Sequence, residues 1–294
     1  MPAEFKIAIV GSNGRLGAAL AREYHKNYEV IGYSRTELYV ENLAQVREIL
    51  HATNFGVLIN CAAYTNVDLC ESQRARAFLI NAEMPRELAE ICRAKRAKLI
   101  HFSTDYVFDG EKREPYHEED PANPISVYGE SKRTGEKNVV AVLDRHLVVR
   151  LSWVFGPDRP SFIDKIIQRA RAEEQVDAVA DKLSGPTYSH DVAQMLPRFF
   201  DLDVAGGILH FANTGECSWQ EYAQHALDCC HEFGISLKAT KVAPLSLRDM
   251  KNWVARRPVY SVLSTAKYTG LTGVAPRPWR EAVADYIKNS YSKK

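Results

Sequence analysis

Little in the chain ties it to a metal, a membrane or a nucleic acid. Cysteine is sparse for its length: of 294 residues, six are cysteine, at 61, 70, 92, 217, 229 and 230. None forms a Cys-x-x-Cys pair and no histidine cluster accompanies them, so they are expected to be reduced, mostly buried side chains, and no metal ligand is assigned. No run is long or apolar enough to cross a bilayer. The net charge is only +1, which gives no basic face for nucleic acid. The N-terminus runs from Met1 into a strand-like stretch, Phe5 to Val10, without the features of a signal peptide, so a cytoplasmic location is expected. There is no internal repeat, low-complexity segment or clear linker. A second lobe would therefore be interleaved with the first rather than tethered to it.

What is present is an ordinary globular composition, 46% hydrophobic and 26% charged, and an alternation of short apolar runs with helical stripes. Ile7 to Val10 reads as a central parallel strand covered on both faces. Gly11-Ser12-Asn13-Gly14-Arg15-Leu16-Gly17 follows, and Leu16, Leu20 and Tyr24 begin a helical stripe. Glycines at this spacing between strand and helix allow a tight turn, close approach of a dinucleotide pyrophosphate, and close helix packing, with the free helix N–H groups aimed at the phosphates. A second strand, Tyr28 to Tyr33, ends in Ser34-Arg35, where an NAD site would usually carry an acid for the ribose 2′-OH. A serine and an arginine suit a 2′-phosphate, so NADP(H) is preferred; Glu37, two residues on, leaves NAD(H) open.

A helix over Leu43 to Leu50 and a strand over Val57 to Asn60 lead to Cys61-Ala62-Ala63-Tyr64. Small residues at a strand end suit either a wall of the cofactor groove or close packing against a helix. Helices are then expected from near Glu71 and over Met84 to Lys95, and a strand over Leu99 to Phe102. The stretch that follows carries the chemistry. Ser103-Thr104-Asp105-Tyr106 lies at the strand end, and Tyr128 and Lys132, four apart, share one face of a helix running from Ser126 to about Val142. A phenol, an ammonium and a hydroxyl that converge make a proton donor for carbonyl reduction: Tyr128 gives the proton, Lys132 lowers the phenol pKa, and Thr104 holds the substrate oxygen. A fifth strand is expected over Leu147 to Leu151. Beyond it the pattern predicts helices over Ser161 to Glu174, Asp191 to Phe200, Trp219 to Glu232 (capped by Ser218 with Glu221) and Trp279 to Asn289. It also predicts a loop over Asp181 to Thr187 and strands over Gly207 to Ala212 and Leu237 to Val242.

Several blocks occur together in order: Gly11-x-x-Gly14-x-x-Gly17, Asn60-Cys61-Ala62-Ala63-Tyr64-Thr65-x-Val67-Asp68, Ser103 through Gly110, Tyr128-x-x-x-Lys132, Arg150-x-Ser152-Trp153-Val154-Phe155-Gly156, Gly185-Pro186-Thr187 and Arg257-Pro258. This set resembles the extended short-chain dehydrogenase/reductase superfamily, most of all its dTDP-4-dehydrorhamnose reductase family. The resemblance implies an α/β fold: a Rossmann-type doubly wound parallel sheet with a smaller interleaved C-terminal substrate lobe. Residues 1–151 would form the dinucleotide-binding part, with about 188–212 returning to it, and 152–294 mainly the substrate lobe. It implies NAD(P)H-dependent reduction at C4 of a nucleotide-linked 6-deoxysugar, with Thr104, Tyr128 and Lys132 catalytic. The cofactor would lie on Gly11, Asn13, Gly14, Arg15, Leu16, Gly17, Ser34, Arg35, Cys61, Ala62, Ala63 and Tyr64 as well as Tyr128 and Lys132. Asp105, Tyr106 and Trp153 would shape the sugar site, and Arg257 would face the nucleotide diphosphate. A homodimer is compatible with the resemblance. So are two alternatives: another nucleotide-sugar reductase or epimerase, and a non-catalytic NADP-binding subunit like the regulatory one of methionine adenosyltransferase. The chain departs from the family pattern at Leu38-Tyr39, at Val259-Tyr260-Ser261, and in the Asp181–Thr187 loop, where Gly185 and Pro186 are adjacent.

Overall fold

Continuous apolar runs set the centre of the molecule. The computed structural model describes residues 6–201 and 206–292; Phe5, where the first strand was expected to begin, lies outside them. β1 (Ile7–Val10) is buried along its length and leads through the glycine turn into α1 (Arg15–Tyr24). β2 (Val30–Tyr33), α2 (Leu43–Ala52) and β3 (Val57–Asn60) follow. Then come α3 (Val67–Ser72), α4 (Arg74–Phe78), a π turn at Leu79–Glu83, and α5 (Met84–Lys95). β4 (Lys98–Thr104) runs into a 3-10 turn at Asp105–Val107; α6 (Val127–Val142) and β5 (His146–Leu151) close this half.

The second half contains β6 (Val154–Phe155), α7 (Phe162–Ala172), β7 (Val176–Val179), β8 (Leu183–Ser184), β9 (Thr187–Tyr188), α8 (Ser189–Met195) and β10 (Gly207–His210). β11 (Cys217–Ser218), α9 (Trp219–Glu232), β12 (Val242–Leu245), α10 (Ala266–Thr272) and α11 (Trp279–Tyr291) complete it. Six strands pair in parallel in the order β10-β5-β4-β3-β1-β2. Alternate side chains of β1 serve opposite faces. Ile7 and Ile9 pack with Leu20 and Val192, while Ala8 and Val10 pack with Val46, Leu88 and Val139. Burial on both faces is why these strands read as unbroken apolar runs. A separate core gathers Ile163, Ile167, Tyr222, Ala226, Val283 and Ile287 from α7, α9 and α11.

Several elements depart from expectation. α3 begins at Val67 rather than near Glu71, because the Asn66 side chain accepts from Leu69 N–H and caps it there. The strand expected over Leu237 to Val242 forms instead at Val242–Leu245, where β7 offers a parallel partner. Upstream, Lys238 and Ala239 give their N–H groups to Ala170 O at the end of α7. The helix expected from Asp191 starts at Ser189 and tightens into a 3-10 turn at Leu196–Phe199, where Pro197 supplies no N–H. The 181–187 loop carries β8 and β9, and α10 had no counterpart in the expected elements.

Candidate active site

The carboxyl ends of β1, β3, β4 and β5 deliver the glycine turn, Cys61, Thr104 and Trp153 to one edge of the sheet. Gly11 adopts φ +82°, and a Cβ there would lie 2.8 Å from Ala62 N; a Cβ on Gly17 would lie 2.2 Å from Gly11 O. The turn therefore closes onto the β3 end with room for neither side chain. Helix α1 follows Gly14 with no side-chain cap and no acid in its first turn, so no side chain satisfies its first N–H groups.

A cavity of about 410 Å³ opens at this edge, lined by Thr104, Tyr128 and Lys132 together with Asp105, Tyr106 and Trp153. Five further cofactor candidates, Arg15, Leu16, Cys61, Ala62 and Ala63, line it too. Gly129 makes the approach of α6 possible: a Cβ there would lie 2.1 Å from Tyr106 O. Tyr106 and Tyr128 meet edge to face at 5.6 Å. Burial pushes the Tyr128 phenol up, with the Thr104 hydroxyl pulling the other way. The expectation that Lys132 would lower the phenol is not met. The ammonium donates to Phe102 O at 2.6 Å, and burial pushes Lys132 itself down to about 8. A phenol that stays protonated is what a proton donor requires.

Behind Thr104 lies a polar layer that the sequence did not announce. The Thr104 hydroxyl accepts from Tyr106 N–H at 3.2 Å and donates to Asp105 Oδ1 at 3.1 Å. Ser261 Oγ donates to Asp105 Oδ2 at 2.6 Å, and Ser184 Oγ lies 3.3 Å from the same oxygen. Burial raises the Asp105 carboxyl, opposed first by the charge of Lys182. Lys182 is fully buried, donates to Pro258 O at 2.7 Å, and lies over the rings of Tyr106 (5.3 Å) and Trp153 (5.7 Å). Burial pushes it down to about 8. The only hint in the sequence was the unusual 181–187 loop. Trp153 holds φ 42°, uncommon for a bulky side chain, and its ring is braced by Trp219 and Tyr222.

The remaining candidates divide. Gly11, Asn13, Gly14, Ser34, Arg35 and Tyr64 line a second cavity of about 370 Å³; Cys61, Ala62 and Ala63 border both. Gly17 lies beneath the turn and lines neither. Arg15 turns its guanidinium onto the carbonyls of Val154, Arg159 and Pro160. Arg257 lines neither cavity, although its charge acts on Tyr106 and Lys182: it clasps Asp68 through two nitrogens, at 3.1 and 2.6 Å, and packs on Trp253. Among the described residues, no cluster of three or more His, Cys, Asp or Glu could hold a metal ion, and no helix is long and apolar enough to cross a membrane.

A family model described as the RmlD substrate binding domain matches residues 5–292. The chain belongs to this family. The RmlD-type chain is 38% identical to a probable dTDP-4,6-dihydroxy-2-methyloxan-3-one 4-ketoreductase of Streptomyces antibioticus, over 94% of this chain and 92% of that one. It is 35% identical to the dTDP-4-dehydrorhamnose reductase of Mycolicibacterium smegmatis, over 96% and 85%. The fold of this RmlD-type chain matches a crystal structure of dTDP-4-dehydrorhamnose reductase from Bacillus anthracis in complex with NADP, with TM-score 0.90, 31% identity, and 97% and 99% coverage.

Proposed function

We propose that the protein is an NADPH-dependent oxidoreductase that reduces the C4 ketone of dTDP-4-dehydrorhamnose to give dTDP-L-rhamnose. The observation that carries the reading is the meeting of Thr104, Tyr128 and Lys132 on one cavity beside the glycine turn. Relatives named for this reaction, and a structural neighbour described with NADP, support it.

The residues fit a dinucleotide. The turn has no room for a side chain at Gly11 or Gly17, the α1 N-terminus has no side-chain cap, and the adjoining cavity has Arg35 and no carboxylate in its lining. When bound, NADPH supplies the hydride. Tyr128 holds the proton that the developing alkoxide takes up, and Lys132 provides a fixed positive charge beside it. Thr104, whose hydroxyl proton rests on Asp105 before substrate binds, turns that proton to the substrate oxygen to orient it. Tyr106 and Trp153 supply flat walls for the sugar. We assign residues 1–151, with about 188–212, to the cofactor part and the rest of 152–294 to the interleaved substrate part. Incubation with NADPH and dTDP-4-dehydrorhamnose, followed by loss of nicotinamide absorbance, tests the reading. The Streptomyces antibioticus relative makes a second 4-keto sugar nucleotide the appropriate comparison substrate. NADPH that stays reduced with both substrates, while the protein binds it tightly, would favour the regulatory-subunit alternative.

A further inference from the structure

We infer that Arg159, on the loop after β6, is a second phosphate-binding guanidinium that acts with Arg35 to select a 2′-phosphorylated adenosine; this rests on the NADP reading. Arg159 arrives from outside the cofactor part. Its Nε donates to Asn13 O at 3.0 Å, inside the glycine turn. Contacts run the opposite way as well. Arg15, at the start of α1, donates to Val154 O (3.2 Å), Arg159 O (3.1 Å) and Pro160 O (2.5 Å), and Arg22 pairs with Asp158. The loop is thereby fastened across the turn, and Arg159 lines the 370 Å³ cavity together with Arg35.

The charge balance there is unmet. Arg35 and Arg159 both line the cavity, and no acid does. Among the described residues, Arg35 makes no hydrogen bond or ion pair, and the two terminal nitrogens of Arg159 make none either. The nearby acids make their hydrogen bonds elsewhere, although the charge of Arg35 acts on Glu41. Glu37 accepts from Ser34 N–H at 2.7 Å, and Glu41 is held by Arg76 at 2.7 and 3.1 Å. Two unpaired guanidinium groups with a serine between a strand tip and a loop suit a dianion bound by forked donors. A phosphate at this cavity could be the 2′-phosphate or part of the diphosphate bridge. Ser34 and Arg35 follow β2, where the adenosine ribose of a dinucleotide lies over such a sheet, so the 2′-phosphate is the match.

Calorimetric titration with adenosine 2′,5′-bisphosphate and with 5′-AMP separates the two phosphates without needing turnover. The parent protein should prefer the bisphosphate, and that preference should shrink with added salt because Arg159 is exposed. Arg159→Ala should weaken the bisphosphate by roughly 10–100-fold, the scale of a lost charge-assisted contact, and leave 5′-AMP unchanged. Arg35→Ala should do the same. Equal weakening of both probes by Arg159→Ala would overturn the assignment in favour of the diphosphate bridge. No effect on either probe, or no preference in the parent, would overturn it outright. The reductase reading is judged by turnover alone, so each can fail without the other.

Discussion

The Thr104 hydroxyl donates to Asp105 Oδ1 at 3.1 Å, so the residue expected to hold the substrate oxygen is itself oriented by a buried carboxylate. Burial raises the Asp105 carboxyl, and the charge of Lys182 with hydroxyls from Ser261, Thr104 and Ser184 opposes that rise. Asp105→Asn removes that charge from behind Thr104. We expect kcat to fall by about 10–100-fold, the range of a lost hydrogen bond to a charged group. NADPH affinity should be unchanged. Steady-state kinetics with fixed NADPH checks both, and an unaltered kcat would mean that the carboxylate does not orient Thr104.

Lys132 and Lys182 are each pushed down to about 8 by burial. Their charged forms dominate below that value, so turnover should decline as pH rises through about 8. Stability should move the other way. Between about 8 and the ordinary lysine value near 10.4, the unfolded chain keeps protons that the folded chain has released, so these two groups make stability rise with pH. Activity profiles and denaturant midpoints measured across this window should diverge in sign.

Glu136 and Arg150 are fully buried, with Nε–Oε1 and Nη2–Oε2 both at 2.8 Å. Burial raises the Glu136 carboxyl, but Arg150, with Ser103 and Arg133, more than reverses this and the net direction is down. Its contribution to stability is therefore present above the ordinary carboxylate value and lost as pH falls through the depressed one. Arg150→Met leaves the buried Glu136 carboxylate with Arg133 alone, at 2.9 Å, and should cost up to about 3–5 kcal/mol. Urea unfolding measures it, and replacing Glu136 with leucine in the same chain should recover most of the loss.

The centre of the sheet was legible because β1 and β3 bury both faces and so read as apolar runs; Val57–Asn60 falls where it was expected. Helices with strong caps were equally clear, as at Ser218 with Glu221. The two-residue strands β8 and β9 were not, since their pairing partners lie far along the chain. The Leu237 to Val242 prediction failed for the same reason: pairing with β7, not local propensity, fixes β12. At the site, the Tyr128–Lys132 spacing and the glycine turn were visible because helical and turn geometry are local. The Asp105–Lys182–Ser261 layer joins segments more than 70 residues apart, and no local pattern encodes it. Arg257, expected at the diphosphate, also clasps Asp68, a partner that spacing alone could not reveal.

The proton-donor role of Tyr128 is the centre of the account, and single-turnover reduction of dTDP-4-dehydrorhamnose by Tyr128→Phe with saturating NADPH tests it most directly. General acid assistance is typically worth roughly 10²–10⁴ in rate, so the variant should be slower by that factor while binding NADPH as the parent does. Reduction at the parental rate would contradict the account.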